Sequence, residues 1–307
     1  MRVLFLSPGD LETQLERLPL AAAIGRDLNA SIQVACPLAA APLWKLLPVV
    51  EKQLPFEFEG VTLADWANLL GCVREPDFQA CLNFASGWNL DLLLSLSHIP
   101  VRVARGGFSC TAPIAADAGA SEFLKPLGLQ NDQQDVCISL PQKALEQARS
   151  LQPAGDGPLL LLAPSQTAQD WAESHWKALE EAVSSRISGG RCQQLQSGNV
   201  IKQAAQLASA DGVVSSSPAA SKLATCCGVS VVELQQLASG QALDELPRAT
   251  VLQASHGRGH RLGHRSRAEP VGAAIVGEPD PSTRLLMGNL VSPQVGTHAH
   301  RNSHGAD

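Results

Sequence analysis

The stretch Arg2-Val-Leu-Phe-Leu6-Ser-Pro-Gly-Asp10 decides the fold. Val3–Leu6 is a run of four apolar residues, closed at once by Ser7-Pro8-Gly9. So short a run without polar alternation reads as a buried strand, the kind a parallel sheet covered by helices requires. Ending the strand at Gly9-Asp10 places a sharp backbone turn and a carboxylate where the strand delivers them. Beyond it, apolar residues recur at helical spacing from Leu15 to Leu28 (Leu15, Leu18, Ala22), with Pro19 expected near the helix start or at a kink.

The same alternation continues outward. Ile32–Ala35 reads as a second strand and Phe56–Phe58 as a third, followed by a helix over Leu63–Arg74 with Trp66, Leu69, Leu70 and Val73 on one face. Ala80–Phe84 and Val101–Ala104 are further strands, and Leu90–Leu96 is the helix between them. Gln130–Pro141 is polar, acidic and poor in helix formers, so a connector is expected over 131–150 between a first domain, 1–130, and a second, 151–240. The second repeats the pattern: strand Leu159–Leu162, helices Trp171–Ile187 and Val200–Ala208, strand Gly212–Ser215, helix Ser217–Cys227, strand Val229–Leu234. Strands and helices alternating at this spacing predict an α/β protein of two halves with a linker between them, built on parallel sheets covered on both faces.

Composition bounds the function. The chain has 307 residues, room for two domains, and is 45% hydrophobic and 17% charged, as a packed globular chain is. A net charge of −6 gives no sign of a nucleic-acid-binding surface, and no nucleic-acid partner is expected. No apolar run reaches the roughly 18 residues of a membrane span. The N-terminal apolar run is too short for a signal-peptide core before Asp10 and Glu12 interrupt it, so a cytoplasmic protein is expected. The eight cysteines form no Cys-x-x-Cys and read as small hydrophobes. The absence of tyrosine excludes a tyrosine general acid. After Gly240 the character changes: six of the eight histidines lie beyond Ser255 and no lysine follows Lys222. Residues 241–307 are expected to be an irregular tail, and a shifted reading frame in the gene would produce the same break.

Four sites carry possible chemistry. Asp10 sits where open α/β sheets bind ligands, at the C-terminal end of a strand, and can act as a general base or simply cap the next helix. In Ser215-Ser216-Ser217-Pro218, Ser217 suits an N-cap with proline at the first helical position, and a helix start of this kind also receives phosphate. Ser165 occupies the same strand-end position after Leu159–Leu162. His256, His260 and His264 are spaced for a metal only on a helix, which Gly257, Gly259 and Gly263 disfavour. Gly107-Phe108-Ser109-Cys110-Thr111 lacks the last glycine of a nucleophile elbow, which argues against a serine hydrolase.

Taken together, several segments resemble glycosyltransferase family nine, the ADP-heptose:lipopolysaccharide heptosyltransferases, and most closely its divergent bacterial members. They are Leu6-Ser-Pro-Gly-Asp10, Leu18-Pro19-Leu20, Ala30–Ala35, Leu63–Leu70, Asp77–Ala80 and Ile99–Val103, then Asp170-Trp171 to Leu179 and Ala210–Ser217 to Leu223-Ala224. The resemblance implies a GT-B architecture, two Rossmann-like domains with parallel sheets facing a cleft, residues 1–130 binding the acceptor and residues 151–240 the nucleotide-sugar donor. It also implies an inverting transfer from a nucleotide-diphosphate sugar, ADP-heptose-like, to a glycan or lipid-linked acceptor, with a peripheral place at the inner membrane. Asp10 would then be the base and Gly9 its turn, with Ser165, Ser215, Ser216, Ser217 and Lys222 near the donor phosphates. No metal and no cofactor are implied. Two positions depart from the pattern: Gln169 stands where the family often has lysine, and Ser217-Pro218-Ala219…Lys222 replaces its Asp-Ser-Gly/Ala…His donor loop. These departures keep a rival open, a catalytically silent relative that binds a nucleotide, a glycan or a protein. A Rossmann oxidoreductase lacks its glycine fingerprint here.

Overall fold

The computed structural model describes residues 1–74, 77–130, 136–167, 170–234 and the backbone of 249–252. Its first half begins with strand β1 (Arg2–Leu6) and helix α1 (Leu11–Asp27), then β2 (Ser31–Cys36), the one-turn α2 (Ala41–Trp44) and β3 (Val50–Pro55). Helix α3 (Leu63–Arg74), β4 (Ala80–Asn83), α4 (Trp88–Leu96), β5 (Val101–Ala104), β6 (Ala112–Pro113) and a 3₁₀ segment (Ala120–Leu127) follow. The strands lie in the order β3-β2-β1-β4-β5-β6, all parallel. β1 is central, as its four apolar residues require. Its side chains alternate between faces: Val3 and Phe5 pack with α1 and α2, Leu4 and Leu6 with α3 and α4. Strand order reverses between β1 and β4, so a crevice opens at their C-terminal ends.

The second half contains α5 (Gln142–Ser150), β7 (Leu159–Ala163), α6 (Glu173–Arg186), β8 (Arg191–Gln194) and α7 (Val200–Ala208). It continues with β9 (Gly212–Ser215), α8 (Pro218–Cys226), β10 (Val231–Leu234) and β11 (Ala249–Leu252). The sheet order is β11-β10-β9-β7-β8, parallel except that β11 runs opposite to β10. Here the order reverses between β7 and β9, the strands that lead into Ser165 and into Ser215–Ser217. Both halves are therefore Rossmann-like, the architecture expected from the sequence.

The halves share one core. A continuous apolar cluster runs from Phe5, Leu18 and Trp44 to Leu161, Val213 and Leu223, with α1 against α8 and α2 against α7. The crossing segment is bonded to both sides: the Ile138 N–H donates to the Cys226 carbonyl at 3.3 Å and the Ser139 N–H to the Leu46 carbonyl at 2.7 Å. Of the expected connector, residues 142–150 form α5. Of the expected tail, residues 249–252 form β11, and the remainder, with His256, His260 and His264, lies outside the described residues.

Several local expectations are corrected. The third strand is Val50–Pro55, not Phe56–Phe58; the two phenylalanines instead stack edge-on at 5.2 Å just past the strand. Pro19 is not near the start of α1. The helix begins four residues earlier than expected, at Leu11, and carries Pro19 in its interior. Not every cysteine is core: Cys36, Cys81 and Cys226 are buried, with the thiols of Cys36 and Cys226 pushed by burial up to about 12, while Cys72, Cys110, Cys192 and Cys227 are half-buried and Cys137 is exposed.

Candidate active site

The site is built on the turn after β1. Gly9 has φ +104°, and a Cβ there would sit 3.1 Å from the Thr13 side chain, so the turn requires glycine. Asp10 follows as the N-cap of α1. Its Oδ1 accepts from the Thr13 backbone N–H at 3.0 Å and from the Thr13 hydroxyl at 2.6 Å. The capping role weighed from the sequence is therefore real. These bonds, with a small addition from the charge of Lys222, hold the carboxyl below its ordinary value, so the exposed Asp10 is ionised at neutral pH.

Beneath the turn lies a polar brace on the next turns of the same helix face. Gln14 Nε2 donates to the Ser7 carbonyl at 2.8 Å, and its Oε1 accepts from the Ser7 hydroxyl at 2.7 Å and from Trp44 Nε1 at 2.8 Å. Arg17 donates to Ser7 Oγ at 2.7 Å and to the Pro8 carbonyl, with its guanidinium 4.5 Å above the Phe84 ring. Burial, and then the neighbouring Arg105, pulls the Arg17 guanidinium down to about 10, still charged at neutral pH. Neither arginine forms an ion pair among the described residues. Together they place positive potential on the Asp10 side of the first sheet.

Across the junction stands α8. Ser217 caps it, its hydroxyl accepting from the Ala220 N–H at 3.4 Å, with Pro218 at the first position. Ser215 is fully buried, and its hydroxyl donates to the Ala163 and Ser217 carbonyls at 3.1 and 3.0 Å. Ser216 Oγ accepts from the Ser165 N–H at 2.9 Å and donates to Asp170 Oδ1 at 2.6 Å. Ser165 Oγ lies 3.0 Å from Thr167 Oγ1. The four serines thus converge where β7 and β9 end, but the hydroxyls of Ser215 and Ser216 tie the two loops together while those of Ser165 and Ser217 are taken up within their own loop and helix.

Lys222, one turn further along α8, reaches across to the first half. Its Nζ donates to Glu12 Oε1 at 2.9 Å and Glu16 Oε1 at 2.7 Å. Burial alone would lower the ammonium; hydrogen bonding to Glu16 and Glu12 outweighs it and raises the group above the ordinary lysine value. Lys222 therefore ties α8 to Glu12 and Glu16 of α1 where the halves meet, and its charge reaches Asp10 weakly.

Sequence reasoning brought Gly9, Asp10 and the four serines to strand and helix ends, where the structure places them, while Lys222 lies inside α8. It missed Arg17, Gln14, Glu12 and Glu16, and it noted Asp170 only as part of a resemblance. A signal existed for two of these: Gln14 and Arg17 fall at i+4 and i+7 from Asp10, among the apolar positions of α1. Gln169 lies outside the described residues. Among the described residues no group of three or more histidine, cysteine, aspartate or glutamate side chains is placed to hold a metal ion. No helix among them is long and apolar enough to cross a membrane.

No family model matches the chain, and no curated protein matches it in sequence. In structure it is similar to a glycosyl transferase family 9 protein from Veillonella parvula, with a TM-score of 0.60 and 12% identity over 78% of this chain and 82% of that one. It is also similar to E. coli heptosyltransferase WaaC with ADP, with a TM-score of 0.55 and 17% identity over 75% and 86%. E. coli ADP-heptose lps heptosyltransferase II gives a TM-score of 0.58 and 14% identity over 75% and 83%. At these identities the likeness shows a shared fold, the two Rossmann-like domains of the GT-B type.

Proposed function

We propose that the protein is a heptosyltransferase-like glycosyltransferase that moves a sugar from a nucleotide-diphosphate donor to a glycan or lipid-linked acceptor hydroxyl. One observation carries this reading: an ionised carboxylate, Asp10, stands at the strand end where the order of the first sheet reverses, at the start of the helix that packs against α8 of the second half. Its fold neighbours include E. coli heptosyltransferase WaaC with ADP and an E. coli ADP-heptose lps heptosyltransferase, which supports a nucleotide-sugar donor of that class.

In this reaction Asp10 accepts the acceptor hydroxyl proton as that oxygen attacks the anomeric carbon from the side opposite the diphosphate. The new C–O bond forms as the bond to the diphosphate breaks, and the electron pair leaves with phosphate, inverting the centre. The start of α8 offers its helix dipole to the departing charge. Lys222 adds a cation once it exchanges Glu12 and Glu16 for phosphate oxygens. Arg17 and Gln14 act by fixing the Ser7–Asp10 turn. A peripheral, cytoplasmic-side setting suits a lipid-linked acceptor.

The test is transfer and donor hydrolysis with ADP-, UDP- and GDP-sugars on wild type and Asp10→Asn. The asparagine keeps a capping oxygen and loses the base. Turnover should fall about a hundredfold or more; an unchanged rate would remove Asp10 from the reaction. A second reading, a silent binding module, is favoured by one fact: Lys222 and the serine hydroxyls are occupied internally, beside Asp170. Calorimetric binding of nucleotide sugars with no turnover on any acceptor would select it.

A further inference from the structure

We infer that the first half carries a separate recognition surface for an uncharged pyranose ring, beside the end of β4. The inference rests on the transfer reading for its role, as a station for the acceptor glycan, and on geometry for its existence. A cavity of about 270 Å³ opens there, walled by Phe58, Trp66 and Trp88, with Ser86 and Asn89 among its polar groups. No charged side chain lines it, so it is not built for phosphate. Phe56 fixes two of the walls, meeting Phe58 at 5.2 Å and Trp66 at 4.9 Å.

Two large aromatic surfaces remain in water at its rim. Trp88 is 67% exposed and Phe108 60%, with ring centroids 6.4 Å apart. Phe108 is not loosely placed. Gly107, before it, has φ +102°, and a Cβ there would lie 2.3 Å from Asp91 Oδ1. Ser109, after it, donates its hydroxyl to the same buried Asp91 oxygen at 2.5 Å, and Arg102 holds the Ser109 carbonyl. The loop is therefore braced on both sides of an outward-facing ring.

Position and chemistry agree. Phe84 N–H donates to the Leu6 carbonyl at 3.0 Å, tying the end of β4 alongside β1, so the cavity opens at the same strand ends as Asp10. Indole and phenyl faces suit the axial C–H faces of a sugar ring, and Asn89 and Ser86 supply donors and acceptors for hydroxyl groups. An alkyl chain would leave those polar groups without use.

Saturation-transfer NMR and tryptophan-fluorescence titration of the full chain with methyl hexopyranosides and methyl heptopyranosides test the site. The expected result is saturable binding, weakened about fivefold by Trp88→Ala or by Phe108→Ala, and unchanged by Leu151→Ala, an exposed apolar control on the other half. Circular dichroism confirms that the variants are folded. The proposal is overturned if no glycoside binds saturably, if Trp88→Ala binds as wild type, if adenosine or uridine displaces the glycoside, or if the signal responds only to phosphatidylglycerol vesicles. Glycoside binding in a protein with no transferase activity would sink the transfer reading and leave the site standing. Asp10-dependent turnover without glycoside binding would do the reverse.

Discussion

Asp10 serves two purposes, and substitutions separate them. Asp10→Ala removes both cap and base, costing about 1 kcal/mol of stability as well as turnover. Asp10→Asn should leave the denaturation midpoint close to wild type, and paired denaturation curves check this. The pH dependence follows from Thr13. Its hydroxyl is the main reason that Asp10 titrates below the ordinary 3.8, so the ionised cap and base persist at every pH above that value and are lost only as the pH falls through the lowered one. Thr13→Val removes that bond. The acid limb of kcat/KM should then move up toward ordinary aspartate behaviour with its plateau preserved, and an unmoved limb would assign the titration to another group.

At the scale of single elements, the Lys222 bridge joins α1 to α8 through side chains that are partly in water. Such pairs contribute about 0–1 kcal/mol each. Glu12→Gln with Glu16→Gln should therefore barely change Tm yet free the lysine for phosphate. ADP should bind more tightly to the double variant at low ionic strength, with the difference vanishing near 1 M salt, where the screening length is about 3 Å. Gly107→Ala tests a different element, the loop after β5. A methyl group forced against Asp91 at positive φ should cost about 2–4 kcal/mol in chemical denaturation.

Legibility also divides by element. β1, β7 and β9 were readable because strands packed on both faces must be continuously apolar. β3 and β8 were not, because they are the outermost strands of their sheets. Val50-Glu-Lys-Gln-Leu-Pro55 and Arg191-Cys-Gln-Gln194 bury too little surface to show a hydrophobic signature. Site residues announced themselves when local turn chemistry fixed them, as with Gly9-Asp10 and Ser217-Pro218. The partners of Lys222 did not, since Glu12 and Glu16 lie 210 and 206 residues away in the chain and nothing local encodes the contact. The serines show a third case: their place was legible, but the bonds of Ser215 and Ser216 to Ala163, Ser165 and Asp170, 46 to 52 residues away, were not.

For the whole molecule, the shared core sets the expectation. Because Phe5 and Leu18 belong to the same cluster as Val213 and Leu223, neither half can unfold without baring the helices of the other. Calorimetry should show one transition, with calorimetric and van't Hoff enthalpies equal; two resolved transitions would mean that the contact between halves contributes little. A fragment ending at residue 130 should accordingly melt well below the full chain.

β11 has a further consequence. By running against β10 it occupies the outward amide and carbonyl groups of the last parallel strand. A chain cut after Gly240 would present that row bare, a ready template for strands of neighbouring copies. Such a shortened protein should come out of solution on concentration while the intact chain stays dispersed, so the four residues guard against self-association.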